Sequence, residues 1–166
     1  ATASAWVNVD LGANYTYNSD AGGDVITNVE NLTGTAYNDF LTGNSGDNIL
    51  DGGAGNDYLN GGNGNDTLIG GGGDNSLLAG DGDDLLISGS GADTVSGGNG
   101  ADTVSYAAST DWINVDLGTN YTYHGYANGD VITGVENLIG SGYNDFLTGD
   151  TGNNVLSGLA GNDYPF

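Results

Sequence analysis

The chain has 166 residues and carries 22 Asp and Glu against no Lys or Arg, a formal net charge of −22. Such a surface repels nucleic acid and anionic membranes, which excludes both as direct partners, and no apolar run approaches the roughly 20 residues of a membrane span, so membrane insertion is not expected. With no cysteine and a single histidine, neither a structural zinc site nor a Cys/His catalytic pair can form.

The first 33 residues alternate apolar and polar side chains at Trp6-Val7-Asn8-Val9-Asp10-Leu11, which predicts a strand. A polar loop with Tyr15 and Tyr17 follows, then a second strand leading to Leu32. No secretory leader is recognisable, and Ala1 stands in mid-pattern, where the second copy described below has Ala107, so the natural N-terminus is expected to lie further upstream.

From Gly34 to Ser105 the chain repeats every nine residues, through GTAYNDFLT, GNSGDNILD, GGAGNDYLN, GGNGNDTLI, GGGGDNSLL, AGDGDDLLI, SGSGADTVS and GGNGADTVS. Position six is Asp39, Asn48, Asp57, Asp66, Asn75, Asp84, Asp93 and Asp102; position eight is Leu41, Leu50, Leu59, Leu68, Leu77, Leu86, Val95 and Val104. A fixed acid and a fixed aliphatic at a strict period predict a parallel β-solenoid rather than a globule. Glycines at positions one, two and four permit tight, left-handed turning, and the last three residues suffice for a short strand.

Two units make one coil, and stacked coils lie about 4.8 Å apart. Asp66 then sits above Asp84, which sits above Asp102. Carboxylates about 5 Å apart repel by roughly 3 kcal/mol at an effective dielectric near 20, and no cationic side chain relieves them. The ladder therefore calls for a metal ion. Carboxylate and carbonyl oxygens on flexible turns suit Ca2+, which accepts six to eight oxygens in irregular geometry; Mg2+ demands a stricter octahedron.

The units match the pattern GGxGxDxUx, eight times in register, and the chain resembles the RTX family of calcium-binding β-rolls. The resemblance implies an all-β, parallel β-roll with multiple Ca2+ ions between the turns of successive coils, held by position-six side chains and loop carbonyls. Carried over to this sequence, it implies ligands at Asp39, Asp57, Asp66, Asp84, Asp93 and Asp102. The best sites pair Asp39 with Asp57, Asp66 with Asp84, and Asp84 with Asp102. Asn48 and Asn75 depart from the pattern and should give weaker or empty sites.

Residues Trp6 to Asp57 recur as Trp112 to Asp163. Segment 106–139 thus repeats 1–33: a strand at Trp112–Leu117, a tyrosine-bearing loop, and a second strand at Asp130–Leu138. Both are expected to be wider coils of the same parallel solenoid. Counting backwards in nines puts Glu30 and Glu136 on position six, as outlying calcium ligands. The calcium turns resume in 140–166 with Asp145, Asn154 and Asp163. There Pro165 takes the place of the position-eight leucine, and because proline cannot donate to a ladder it is expected to cap the stack.

Aromatic residues concentrate in the wide coils, at Trp6, Tyr15, Tyr17, Trp112, Tyr121, Tyr123 and Tyr126; exposed aromatics beside polar loops can stack on sugars or on a neighbouring protein, but the expectation is that these fill the wider core and cover coil edges. His124 replaces Asn18 of the first copy and reads as a loop residue. Asn14, Asn31, Asn65 and Asn120 open Asn-x-Thr triplets, a short pattern in an Asn-rich chain.

No HExxH motif or nucleophile elbow is present, and the carboxylates are committed to the ladder, so no enzymatic activity is expected. The only acids outside position six in matching places of the two copies are Asp10/Asp116 and Asp24/Asp130. Carboxylate repulsion and 33 glycines oppose folding without calcium. The need for abundant calcium points to an extracellular or cell-surface location, and the resemblance implies a bacterial type I secretion route. The expected function is a calcium-hardened structural module of a surface layer, adhesin or filament, self-associating into arrays; the alternative is the non-catalytic C-terminal domain of a type I-secreted enzyme or toxin.

Overall fold

A computed structural model describes residues 5–18 and 21–165; Ala1 and Phe166 of the expected cap lie outside the described residues. Among these the structure is β-strand and turn, with a 3-10 turn at Gly125–Ala127. Consecutive nonapeptides fall on opposite walls. Phe40–Thr42, Tyr58–Asn63, Ser76–Asp81 and Thr94–Asn99 stack in parallel in one wall. Ile49–Asp51, Thr67–Ile69, Leu85–Ile87 and Thr103–Ser105 stack in parallel in the other.

The register follows from the sequence period. Leu41 faces Leu59, Leu59 faces Leu77 and Leu77 faces Val95. On the opposite wall Leu50 faces Leu68, Leu68 faces Leu86 and Leu86 faces Val104. All of these position-eight side chains are fully buried in one cluster between the walls. Side chains alternate across a strand, so positions seven and nine face outward. Three of the strands in the first wall run to six residues, because pairing continues through Gly62, Gly80 and Gly98 into the next turn.

The wide segments depart from the expectation of simple parallel coils. Asn8–Asp10 and Asn114–Asp116 are strands as the alternation predicts, but the tyrosine-bearing stretches are strands too. Tyr15–Tyr17 and Tyr121–Tyr123 fold back antiparallel on them. The reversal is built from turn chemistry: Asp10 Oδ1 accepts the Ala13 N–H at 2.7 Å and Asp116 Oδ1 the Thr119 N–H at 3.0 Å. Asn14 and Asn120 take the left-handed conformation with φ of 51° and 54°, which asparagine tolerates better than most residues.

The expected second strand at Asp130–Leu138 divides between the walls. Val131–Thr133 extends the first wall beyond Thr94–Ser96, and Asn137–Ile139 extends the second beyond Thr103–Ser105. In the first copy only Asn31–Thr33 forms. Val25 is 86% exposed there against 47% for its counterpart Val131, and Ile26 is only partly buried where its counterpart Ile132 packs against the core at 4%. The difference has a local cause: Val131–Thr133 rests on a preceding coil, and among the described residues nothing lies in the matching place beside Val25. Beyond the second hairpin, Phe146–Thr148 and Tyr164–Pro165 add to Asn114–Asp116, while Val155–Ser157 continues the second wall.

Leu68 sits mid-stack with no exposed surface. In saturating calcium, Leu68→Ala should lower the unfolding free energy by about 2–5 kcal/mol, as cavity-forming core truncations do. Thr67→Ala, on the outward side of the same strand, should cost less than about 1 kcal/mol. Denaturant titration of both variants checks this.

Candidate metal centre

The position-six side chains line up in two columns, one on each edge of the stack. In each column a side-chain oxygen reaches back one coil and accepts from the backbone N–H of the matching residue. Asp57 Oδ1 accepts from Asp39 N at 2.8 Å, Asn75 Oδ1 from Asp57 N at 2.9 Å and Asp93 Oδ1 from Asn75 N at 2.7 Å. In the other column Asp66 Oδ1 accepts from Asn48 N at 2.8 Å, Asp84 Oδ1 from Asp66 N at 2.7 Å and Asp102 Oδ1 from Asp84 N at 2.9 Å. The pairs Asp39–Asp57, Asp66–Asp84 and Asp84–Asp102 are therefore neighbours.

One carboxylate oxygen is thus satisfied at each rung; the other is the test of a metal. Oδ2 of Asp57, Asp66, Asp84, Asp93 and Asp102 is buried without any hydrogen-bond partner. A buried carboxylate oxygen left unpaired is costly, and these atoms share a setting. A Cβ on Gly61 would meet Asp66 Oδ2 and the Ala79 carbonyl oxygen, and one on Gly97 would meet Asp102 Oδ2 and the Gly134 carbonyl oxygen. The turns themselves demand glycine: Gly62 and Gly64 hold φ of 111° and 110°, and a Cβ on either would clash with the Asn44 or Gly46 carbonyl one coil away.

The niches at Gly61 and Gly97 are lined by oxygen. Among the described residues no three His, Cys, Asp or Glu side chains converge on one point, so an ion here draws on turn carbonyls as well as carboxylate, a donor set that fits Ca2+. Asp57, Asp66, Asp84, Asp93 and Asp102 would hold it, and the bound cation supplies the positive charge that the chain lacks.

Among the other expected ligands, Asp39, Asp145 and the asparagines are satisfied by the protein. Asp39 Oδ2 accepts from Thr35 N at 2.5 Å and Asp145 Oδ2 from Ser141 N at 2.6 Å, with the Thr35 and Ser141 hydroxyls closing on their Oδ1 atoms. The Asn residues carry their own counter-group: the side-chain amides of Asn48, Asn75 and Asn154 donate to the carbonyls of Glu30, Gly73 and Glu136 at 3.0, 2.9 and 2.8 Å. An amide N–H stands there where an aspartate would present a bare oxygen. Asp163 Oδ1 accepts from Asp145 N at 3.0 Å. Glu136 does stand on position six, its Oε2 accepting from Asp102 N at 2.9 Å, whereas Glu30 is exposed.

Two features escaped the sequence reading. Asp130 is a column member, not an acid apart: its Oδ1 accepts from Asp93 N at 2.8 Å, and its Oδ2 accepts from the buried Tyr106 hydroxyl at 2.7 Å. The wide coil breaks the nine-residue count, so this position could not be reached by stepping in nines. Position five forms a second ladder of opposite sense. Asn38, Asp47, Asn56, Asn65, Asp74 and Asp83 each accept the backbone N–H one coil further on, at 2.8 to 3.0 Å. Its signal, Asn or Asp at position five of six successive units, was visible in the text. His124 stacks on Trp112 with ring centroids 4.3 Å apart.

Burial pushes the carboxyls of Asp57, Asp66 and Asp102 up from 3.8 to about 6, that of Asp93 to about 7, and raises Asp84. The bonded backbone N–H opposes the rise in each, and the neighbouring charges of Asp39 on Asp57 and Asp84 on Asp66 add to it. For a carboxyl raised on folding, the stabilisation is complete below the unfolded value near 4 and is lost as pH rises through 6 to 7. The metal-free chain should therefore gain β-structure on acidification from pH 8 to 5. In the same interval the calcium concentration at half-binding should rise, because protons compete for the ligand oxygens. Circular dichroism and calcium titration across this range read both effects. At constant pH, Asp84→Ala should raise the calcium midpoint more than Asn75→Ala, since only Asp84 presents an unpartnered oxygen.

Comparison with known families agrees with this geometry. A model of the RTX calcium-binding nonapeptide repeat matches in four copies, over residues 33–68, 69–104, 89–121 and 132–165. No curated protein matches the chain. The match covers well over half of the sequence, and the chain belongs to the family of RTX calcium-binding nonapeptide repeats, whose repeats bind multiple Ca2+ ions.

Proposed function

We propose that this chain is a calcium-filled parallel β-roll that serves as an extracellular structural module and becomes ordered on binding calcium. The observation that carries the reading is the set of buried, unpartnered carboxylate oxygens at Asp57, Asp66, Asp84, Asp93 and Asp102 in a chain with no Lys or Arg. No group of the protein itself neutralises them. Abundant calcium is found outside the cell, and RTX repeats are typical of secreted bacterial proteins.

A spacer or surface role, rather than catalysis, is supported by where three of the four remaining acids in matching places of the two copies go. Asp10 and Asp116 cap hairpin turns, and Asp130 is spent on Asp93 and Tyr106. The tandem copy favours a module of an array over a single export domain of an enzyme or toxin, since near-identical modules build spacers. Self-association in calcium is part of the proposal: Asn31–Thr33 and Val155–Ser157 are the outermost strands of the second wall, with Leu32 and Leu156 only half-buried, and open ladder edges pair readily. Among the described residues no helix is long and apolar enough to cross a membrane.

In chelator at neutral pH the circular-dichroism spectrum should be that of a disordered chain, and millimolar calcium should convert it to β-structure. Magnesium at equal concentration should do little. A metal-free chain already fully β-structured at pH 7.5 would sink the proposal.

A further inference from the structure

The outer surface of each hairpin carries two side-chain rows that the calcium ladder does not use. Strand register puts Tyr17, Asn8, Phe40 and Tyr58 in one line across the wall, and Tyr15, Asp10, Thr42 and Asn60 in the next. Trp6 stands beside the first line, its ring centroid 6.1 Å from both Tyr17 and Phe40, and Phe40 lies 5.9 Å from Tyr58. The second copy reproduces the arrangement, with Tyr123, Asn114, Phe146 and Tyr164 in line, and Tyr121, Asp116 and Thr148 next to them.

Stacking of the roll does not require these rings. Along the first line the following coils carry Ser76 and Thr94 in place of Phe40 and Tyr58, with the core beneath them still fully buried. The rings also stay open to solvent: Tyr17 is 55% exposed, Phe40 47%, Phe146 42% and Tyr164 51%. Next to the rings, Asn8, Thr42, Asn60, Asn114 and Thr148 make no side-chain hydrogen bond to another described residue and are only half-buried. In the second copy Trp112, Tyr143, Asn144, Phe146 and Tyr164 surround an open hollow of about 460 Å³, within the usual range of ligand sites.

Aromatic faces flanked by free amides and hydroxyls suit a ligand with apolar C–H faces and many hydroxyls. The electron-rich ring face attracts polarised C–H groups, and Asn and Thr both donate and accept. With no cationic side chain and a net charge of −22, an anionic chain is repelled. We propose that these two aromatic faces bind an uncharged polysaccharide, one segment on each copy.

The test is affinity electrophoresis of the calcium-loaded chain through gels containing a neutral β-glucan, a neutral α-glucan, a mannan or a polyuronate. Retardation by at least one neutral polymer and none by the polyuronate is expected. The combined variant Phe40→Thr, Tyr58→Ser, Phe146→Thr and Tyr164→Ser places on these strands the residue types that the interior coils already carry. It should keep the calcium-dependent circular-dichroism change and lose retardation at least tenfold. Absence of retardation by every neutral polymer, or retardation equal in the variant, would overturn the proposal. So would light scattering that shows a calcium-dependent oligomer dissolved by these substitutions, since the faces would then join copies of the chain. Calcium-induced folding is read separately on the same samples, so failure here is distinct from failure of the calcium-module reading.

Discussion

Everything in this molecule depends on a carboxylate with one oxygen provided for and the other not. At Asp57, Asp66, Asp84, Asp93 and Asp102 the first oxygen receives a backbone N–H from the neighbouring coil, and the second is buried without a partner. The first bond fixes the register of one coil on the next. The second oxygen makes that register unfavourable until positive charge arrives. Coil stacking and ion binding are two uses of one side chain, so order in the roll is coupled to the ion.

The exceptions follow the same logic. Where position six is Asn, the amide supplies its own donor to a nearby carbonyl, as Asn75 does to Gly73. Where position two is Thr or Ser instead of Gly, as at Thr35 and Ser141, the local backbone N–H and hydroxyl satisfy Asp39 and Asp145. Where the wide coil meets the regular stack, the Tyr106 hydroxyl occupies the second oxygen of Asp130. A graded series results, from rungs that demand a cation to rungs closed by the protein; of the latter, Asp39, Asn48, Asp145 and Asn154 bond to the wide segments, while Asn75 lies mid-stack. The outer ladder at position five contributes polar bonds that need no ion.

Much of this was legible because a strict period leaves little freedom. The nine-residue beat fixed which leucines face each other and which acids share a column. The Asp66–Asp84–Asp102 column is where the period puts it. What the period could not show lies where it breaks. The antiparallel hairpins were hidden because Tyr15–Tyr17 looks polar and loop-like beside its partner strand, although Gly12 and Asn14 spelled a turn. Asp130 was hidden because the intervening hairpin breaks the nine-residue count. The division of the expected ligands into satisfied and unsatisfied groups depends on neighbours in space, such as the Thr35 N–H, and a list of position-six residues carries no such information.

The most direct measurement is a crystal structure of the calcium-loaded chain with anomalous scattering used to locate the ions, or a lanthanide in their place. Anomalous density is expected beside Oδ2 of Asp57, Asp66, Asp84, Asp93 and Asp102, and not at the amide-closed rungs of Asn48 and Asn75. A folded chain with no ion beside those oxygens, or with ions seated only on the rungs that the protein already closes, would contradict the coupling of coil stacking to calcium.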